Sequence, residues 1–222
     1  MPKDTFFNLP DEKRILIEET AVDEFATWGF DNASINRIVD QCQIAKGSFY
    51  QYFDDKKDLF NHLMTRISQE KLNYISPVML NPQAHDFFTL LQEMYRSGLE
   101  FARQNPKAAL IGNQVYKNQD HPVHKEIFKG SKDAGRAFYS QLIALAISRG
   151  EIRSDIDMDF VIHILMSLNV TTFEYYFEVI KGADFNMTEV DDDIMDTVNI
   201  FIDFIKNGIS PPEKEDNNTH TG

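Results

Sequence analysis

The chain is 222 residues long, 42% of its residues are hydrophobic, and its formal net charge is −13. That length suits one large domain or two small ones, and that apolar content excludes a largely disordered chain. Neither the first 60 residues, with seven basic and twelve acidic side chains, nor the remainder is basic. Binding of nucleic acid through bulk positive charge is therefore excluded, and any such contact must come from a small local patch.

The single cysteine, Cys42, cannot form an intrachain disulfide, which fits a reducing compartment. The first residues contain no apolar signal region, and no apolar run approaches the ~18 residues of a membrane span. We therefore expect a soluble, cytoplasmic protein without a membrane partner.

The first predicted helix covers residues 10–29. Ile17, Ala21 and Phe25 recur at a spacing of four and give this helix one apolar face. Gly29 is placed to end it, because glycine readily adopts the left-handed backbone that follows many helices.

Two short predicted helices follow, over residues 35–42 and 46–52. Ser34 is a favourable N-cap for the first of them. Asp55 is a favourable N-cap for a fourth helix that starts at Lys56. Two short helices joined by about four residues, with a capped helix behind them, have the spacing of a helix-turn-helix.

The rest of the chain is predicted to form longer helices separated by proline and glycine. These lie near residues 56–74, 83–103, 106–117, 124–149, 158–181 and 189–207. No segment shows the alternation of period two that half-buried strands require. The sequence thus predicts an all-α fold of about nine helices, followed by a disordered polar tail over residues 210–222.

The helix over residues 46–52 is short and amphipathic. Phe49 and Phe53 are four residues apart and can anchor it to a core, while Gly47 permits close approach of the backbone to a groove. The side chains left to point outward offer a cation, hydroxyls and an amide, which are the groups that reach phosphates and base edges. They are Lys46, Ser48, Tyr50 and Gln51.

The segment from Gly29 to Leu59 reads GF-x₃-S-I-x₂-I-x₅-I-A-K-G-S-F-Y-x-Y-F-x₂-K-x₂-L. It resembles the N-terminal signature of the TetR/AcrR family of transcriptional regulators. By that resemblance, phosphate contacts are expected from Ser34, Tyr50 and Lys56. The resemblance places in the major groove Asn36, Lys46, Gly47 and Ser48, and at its margin Gln51 and Tyr52.

Two positions in the turn depart from the family pattern. Gln43 stands where glycine is common, and a non-glycine residue with a left-handed backbone costs on the order of 1 kcal/mol. Ala45 stands where serine often caps the recognition helix, and alanine cannot cap.

The resemblance further implies two domains, a three-helix DNA-binding domain over residues 1–55 and a helical effector-binding and dimerisation domain over residues 56–209. The second would enclose an effector pocket between the middle helices and the helix over residues 158–181. Our candidates for its lining are Tyr95, Leu99, Gln114, Phe138, Leu142, Asn169 and Phe173. Because this set is apolar and aromatic, we expect a lipophilic or aromatic effector rather than a highly charged one.

Self-association is predicted from the last two helices. The helix over residues 158–181 is apolar on most of its circumference, and the one over residues 189–207 has a broad apolar stripe. A monomer of this size would cover both with difficulty, so we expect a homodimer in which they pair with their copies. Two-fold symmetry then predicts a pseudo-palindromic DNA operator.

The resulting hypothesis is a ligand-responsive transcriptional regulator. It would act as a repressor, and binding of the effector would release it from the operator. An alternative is a helical dimer that senses a small molecule but acts through protein contacts. An enzyme is not expected, because no catalytic or cofactor-binding motif is present. No metal site is expected at His121 and His124, which lack a third ligand. His163 fits either a ligand contact or a core histidine.

Overall fold

The computed structural model describes residues 1–79, 84–182 and 191–209. Within these ranges the chain is helical and contains no strand, as the sequence predicts. The helices are α1 (Asp4–Phe7), α2 (Asp11–Asn32), α3 (Ile35–Gln41), α4 (Lys46–Tyr52), α5 (Lys56–Met79), α6 (Phe87–Gln104), α7 (Pro106–Lys117), α8 (Pro122–Ser148), α9 (Met158–Glu174) and α10 (Ile194–Ile209). The predicted tail over residues 210–222 lies outside the described residues.

Helix α1 is the element that the sequence did not predict. Phe6 is fully buried, its ring centroid lies 4.8 Å from that of Phe53, and the amide of Lys3 donates to the carbonyl of Tyr52 over 2.9 Å. The N-terminal segment therefore closes the open side of the short helices. The adjacent phenylalanines at positions 6 and 7 were the available signal, but four residues are too few to show a helical period.

Helix α2 kinks at Gly29, where the sequence predicted its end, and continues to Asn32. Gly29 has φ of 67°, and the amide of Ala33 donates to the Gly29 carbonyl over 3.1 Å. This left-handed residue turns the chain toward α3, where the Ser34 hydroxyl accepts a long hydrogen bond of 3.5 Å from the amide of Arg37. The predicted cap before α5 also forms, because the Asp55 carboxylate accepts from the amide of Asp58 over 2.8 Å.

An ion-pair network joins α2 to α5. The Glu18 carboxylate lies 2.6 Å from His62 Nε2 and 2.8 Å from Arg66 Nη1. Burial acts to raise the pKa of Glu18, but the hydrogen bonds from His62 and Arg66 outweigh it and hold that pKa below its ordinary 4.5. The network fixes the first half of α5 against the N-terminal helices.

The apolar core of the N-terminal helices does not stop at α5. One continuous cluster of buried side chains runs from Phe25 and Phe60 to Ile111 and Val115 of α7 and Val123 of α8. The α7–α8 corner therefore packs in the same apolar core as α2.

A second cluster fills the C-terminal bundle. It joins α6, α8, α9 and α10 through buried side chains that include Leu91, Ile143, Leu165, Val198 and Ile205. The helix predicted over residues 158–181 changes pitch within its length, since α9 continues as a π-helix over Tyr175–Ile180. Such a change often accompanies a functional position.

Candidate functional site

The turn between α3 and α4 has the geometry expected from its sequence. Gln43 has φ of 52°, so the position where glycine is common adopts the left-handed backbone without one. Cys42 and Ile44 flank it, and the Cys42 side chain is buried. Ala45 precedes α4 with no side-chain cap, as predicted. The helix is instead held from beneath, because Phe49 and Phe53 are both fully buried.

The outward face of α4 is polar and unpaired. Lys46, Gly47, Tyr50 and Gln51 are exposed, and Ser48 is half-buried. The Lys46 ammonium has no hydrogen-bond or ion-pair partner within the described ranges. A cation, hydroxyls and an amide therefore stand on one short helix with their hydrogen-bonding capacity free, which is what phosphate and base-edge contact requires.

Tyr52 occupies a different environment from its neighbours on α4. Only 9% of the residue is exposed, and its ring centroid lies 6.2 Å from that of Phe6. The side chain packs between α1 and α4, so its predicted position at the groove margin stays a prediction.

The start of α3 is organised by one buried carboxylate. Glu24 accepts from the amide of Ser34 over 2.7 Å and from Arg37 Nε over 2.9 Å. The Arg37 guanidinium also lies 4.9 Å above the ring of Trp28. Glu24 therefore fixes where Ser34 stands, and Asn36 beside it is exposed.

Lys56 is tied to the end of α2. Its ammonium donates to the carbonyls of Asp31 and Ala33, each over 3.0 Å, and lies 4.7 Å from the Phe30 ring centroid. This clamp holds α5 to the chain before α3. A phosphate contact from Lys56 remains a prediction. It would use the N–H donor of the ammonium that the two carbonyls leave free.

One acidic group beside α4 is neutralised. Lys3 Nζ lies 2.8 Å from the Asp54 carboxylate and donates to the carbonyl of Tyr50 over 2.9 Å. The hydrogen bond from Lys3 lowers the pKa of Asp54, whose side chain is exposed. The pairing reduces the negative potential at the end of the α4 face.

A cavity of about 1120 Å³ lies between α5 to α7, α8, α9 and α10. Three of the predicted lining residues, Tyr95, Leu99 and Phe173, line it. Gln114, Phe138 and Leu142 do not. Phe138 and Leu142 pack in the C-terminal core instead, and the Asn169 side chain lies outside what the structure describes.

The cavity wall carries polar groups that the sequence did not reveal. Lys71 lines it from α5, and the buried Tyr95 hydroxyl has no hydrogen-bond partner in the described parts of the chain. Lys71 belongs to a helical row of lining residues on one face of α5, namely Met64, Ile67, Ser68, Lys71 and Ile75. A lysine within that otherwise mostly apolar row was the signal available in the sequence.

A second cleft, of about 500 Å³, separates the end of α2 from the α7–α8 corner. Gln114 lines this cleft rather than the large cavity, and its amide donates to the carbonyl of Ala26 over 2.9 Å. His121 Nε2 lies 3.2 Å from Asp31 across the same cleft. Residues of the corner face both spaces, since the two linings share Lys117, Gln119 and Asp120.

Two features are absent from the described ranges. No group of three or more His, Cys, Asp or Glu side chains there could hold a metal ion. None of the helices described has the length and apolar character to cross a membrane.

Residues 17–63 match the family model described as bacterial regulatory proteins of the tetR family. The Escherichia coli K12 protein named "Probable acrEF/envCD operon repressor" is 22% identical over 151 residues, covering 66% of this chain and 68% of that protein. Bacillus subtilis YuxN, an uncharacterized HTH-type transcriptional regulator, is 38% identical over 74 residues, or 30% of this chain and 25% of YuxN.

The fold is similar to that of a TetR family transcriptional regulator from Chloroflexus aurantiacus J-10-FL. The two share 28% identity with a TM-score of 0.65, over 95% of this chain and 99% of the other. The matched segment holds the helix-turn-helix described above, and the remaining helices follow the same architecture. Together these likenesses support a TetR/AcrR family transcriptional regulator, a DNA-binding regulator with the N-terminal helix-turn-helix that the family model describes.

Proposed function

We propose that the chain is an effector-responsive repressor that binds a pseudo-palindromic operator as a homodimer. The observation that carries this proposal is the face of α4, where Lys46, Tyr50 and Gln51 are exposed above an anchor of two buried phenylalanines. In this proposal α4 enters the major groove, and the start of α3, with Ser34 and Asn36, contacts the flanking backbone and bases.

The dimer part of the proposal is supported by apolar side chains on the outer surface of α9 and α10. Phe160 and Ile164 are 62% and 36% exposed on α9, and Ile200 and Phe204 are 70% and 68% exposed on α10. Each pair is four residues apart and lies on one helical face. Large exposed apolar patches mark interfaces, so we assign this face to a second copy of the chain, in a four-helix arrangement.

The proposal includes a two-domain division of the chain and a route from effector to DNA between the two domains. We place the boundary at residues 55/56, with α5 and the α7–α8 corner as the connections. The corner faces the large cavity on one side, through Gln119 and Asp120, and the end of α2 on the other, through Gln114 and His121. An effector with different affinities for two positions of these connections would change the separation of the two α4 helices in the dimer.

The test is a gel-shift titration of the DNA upstream of the chain's own coding region with the full-length protein. Specific binding is expected, weakened at least about tenfold by Lys46→Ala or Tyr50→Ala, because each dimer loses two contacts. Lys132→Ala, an exposed lysine on α8, is the matched control and should bind as wild type does. Specific binding that survives both α4 substitutions would contradict the proposed interface.

A further inference from the structure

The wall that α5 contributes to the large cavity contains a lysine without a counter-ion among the described residues. Lys71 lines the cavity and has no hydrogen-bond or ion-pair partner among the residues described. Three other lysines do have partners: Lys56 binds two carbonyls, Lys57 pairs with Glu126 and Lys107 pairs with Asp23. Lys71 therefore differs from them in facing an open space instead of an acceptor.

The surroundings of Lys71 disfavour its charge. Its side chain is accessible from the cavity, yet enough protein encloses it that desolvation lowers the pKa of its ammonium. An ammonium that is partly desolvated and has no partner among the described residues is stabilised by an anion placed beside it. The position of Lys71 on the cavity wall therefore makes the cavity complementary to a ligand that brings a negative charge to this ammonium.

The remaining charges of the lining limit how negative the ligand can be. Two lysines, at positions 71 and 117, face three carboxylates, those of Asp120, Glu174 and Glu178. Glu174 is exposed and accepts a hydrogen bond of 2.7 Å from the Tyr116 hydroxyl. The lining thus has a slight negative excess, which opposes a polyanion and leaves room for one anionic group at Lys71.

Most of the cavity would contact an apolar body. Its wall includes Leu99, Phe101, Ile127, Phe173 and Val198, and its volume of about 1120 Å³ is large for a small-molecule pocket. The Tyr95 hydroxyl is uncharged and has no hydrogen-bond partner among the described residues, so it offers the ligand one more hydrogen bond.

We propose that this cavity binds an amphipathic carboxylate, with its single anionic head on the Lys71 ammonium and its apolar body along the aromatic wall. The assignment of this ligand as the effector rests on the proposed function; the binding itself does not. The sequence pattern alone favoured a lipophilic ligand, and Lys71 adds one charge to that expectation.

The test uses isothermal titration of the full-length protein near neutral pH with straight-chain carboxylates, hexanoate, decanoate and tetradecanoate, each below its micellar concentration. Decanol serves as the neutral isostere of decanoate. At least one carboxylate should bind, and for the C10 pair decanoate should bind at least about tenfold more tightly than decanol, the difference that one charge-assisted pair supplies. No binding by any carboxylate, or equal binding of decanoate and decanol, would overturn the proposal.

The variants separate charge from shape. Lys71→Met should remove the preference for decanoate over decanol while decanol affinity holds or rises, and Lys132→Met on the exposed face of α8 should change neither. If Lys71→Met weakens both ligands equally, or if Lys132→Met acts as Lys71→Met does, the head-group assignment is wrong. Circular dichroism and unliganded melting of each variant check that it folds.

The gel shift without carboxylate keeps this proposal distinct from the proposed function. Intact operator binding with no carboxylate binding would overturn only the ligand class. Lys71-dependent carboxylate binding with no operator binding would overturn the regulator and leave the cavity assignment standing.

Discussion

Gln114 on α7 donates a hydrogen bond to the backbone carbonyl of Ala26 on α2, over a distance of 2.9 Å. This contact crosses from the helix beside the large cavity to the helix that precedes the helix-turn-helix. The same glutamine has its Oε1 3.7 Å from where a side chain at Gly29 would begin, so it lies close beside the kink near the end of α2. A sequence position that we expected to bind effector is thus placed to hold the two parts of the chain together.

Replacing Gln114 with alanine should lower the free energy of unfolding by about 1 kcal/mol, because one partly buried hydrogen bond is lost. Urea unfolding followed by circular dichroism measures the change. Gln41→Ala, at an exposed position at the end of α3, is the control and should be close to neutral. Equal effects at the two positions would show that the contact to Ala26 contributes nothing.

Removing the hydroxyl of Tyr95 should leave the unliganded protein as stable as wild type or up to about 1 kcal/mol more stable, because a buried polar atom without a partner carries a desolvation cost. Burial, and secondarily the nearby Tyr139, raises the pKa of Tyr95, so the group is neutral near pH 7 and no charge is lost. The measurement is the urea midpoint of Tyr95→Phe. A loss above about 1 kcal/mol would mean that the hydroxyl has a stabilising partner.

Glu24 should be among the most sensitive polar positions of the N-terminal helices. Glu24→Ala leaves the Ser34 amide and the Arg37 guanidinium without their acceptor, and we expect a loss of about 1–2 kcal/mol, reduced from the full value because Arg37 is half-exposed. Glu19→Ala removes an exposed carboxylate paired with Arg66 and should cost less than about 0.5 kcal/mol. A larger effect at Glu19 than at Glu24 would contradict this ranking.

The stability should fall with mild acidification because of His124. Desolvation lowers the pKa of this buried histidine below its ordinary 6.5, against a hydrogen bond to the Asn118 carbonyl and the charge of Asp31, and with repulsion from His121. The unfolded chain then binds the proton more readily than the folded one, so stability is complete above about pH 6.5 and declines below it.

Thermal melts between about pH 7.5 and about pH 5.5 test this. The range lies above the ordinary 4.5 of Glu18, whose lowered pKa removes stability only in stronger acid. His124→Gln should show a shallower decline than wild type over this range. An unchanged slope would assign the decline to other groups.

The apolar face on α9 and α10 should determine whether the protein is a monomer or a dimer. Phe204→Glu places a charge in the middle of the proposed dimer interface and should shift the protein from dimer to monomer in light scattering coupled to gel filtration. Ile15→Glu, an equally conspicuous exposed apolar residue on α2, should leave the mass unchanged. A monomeric wild type, or a dimer that tolerates Phe204→Glu, would contradict the interface.

The elements that the sequence predicted well were set by local rules. Gly29, Ser34 and Asp55 act at the helix ends where glycine and short polar side chains are expected, and the left-handed Gln43 falls where the turn demands it. The elements that it missed depend on distant partners. Helix α1 is held in place because Phe6 packs against Phe53, and the local sequence has no periodicity that predicts this contact.

The predictions for the large cavity also divide between positions set by local sequence and positions set by distant contacts. Of the candidates chosen for the pocket that the family resemblance implies, Tyr95, Leu99 and Phe173 line the cavity. The position of Gln114 depends on how α7 crosses α2, which one helix's pattern does not contain. Lys71 was overlooked because a lysine in an amphipathic helix is ordinarily assigned to solvent.

The most direct test of the central claim is hydroxyl-radical footprinting of the chain's own upstream DNA with the full-length protein. The account predicts two protected patches related by a dyad and separated by about one helical turn or a multiple of it, because a symmetric dimer presents two α4 helices. Lys46→Ala should remove both patches together, and Lys132→Ala should keep both. A single patch, or protection that is indifferent to Lys46, would contradict the account.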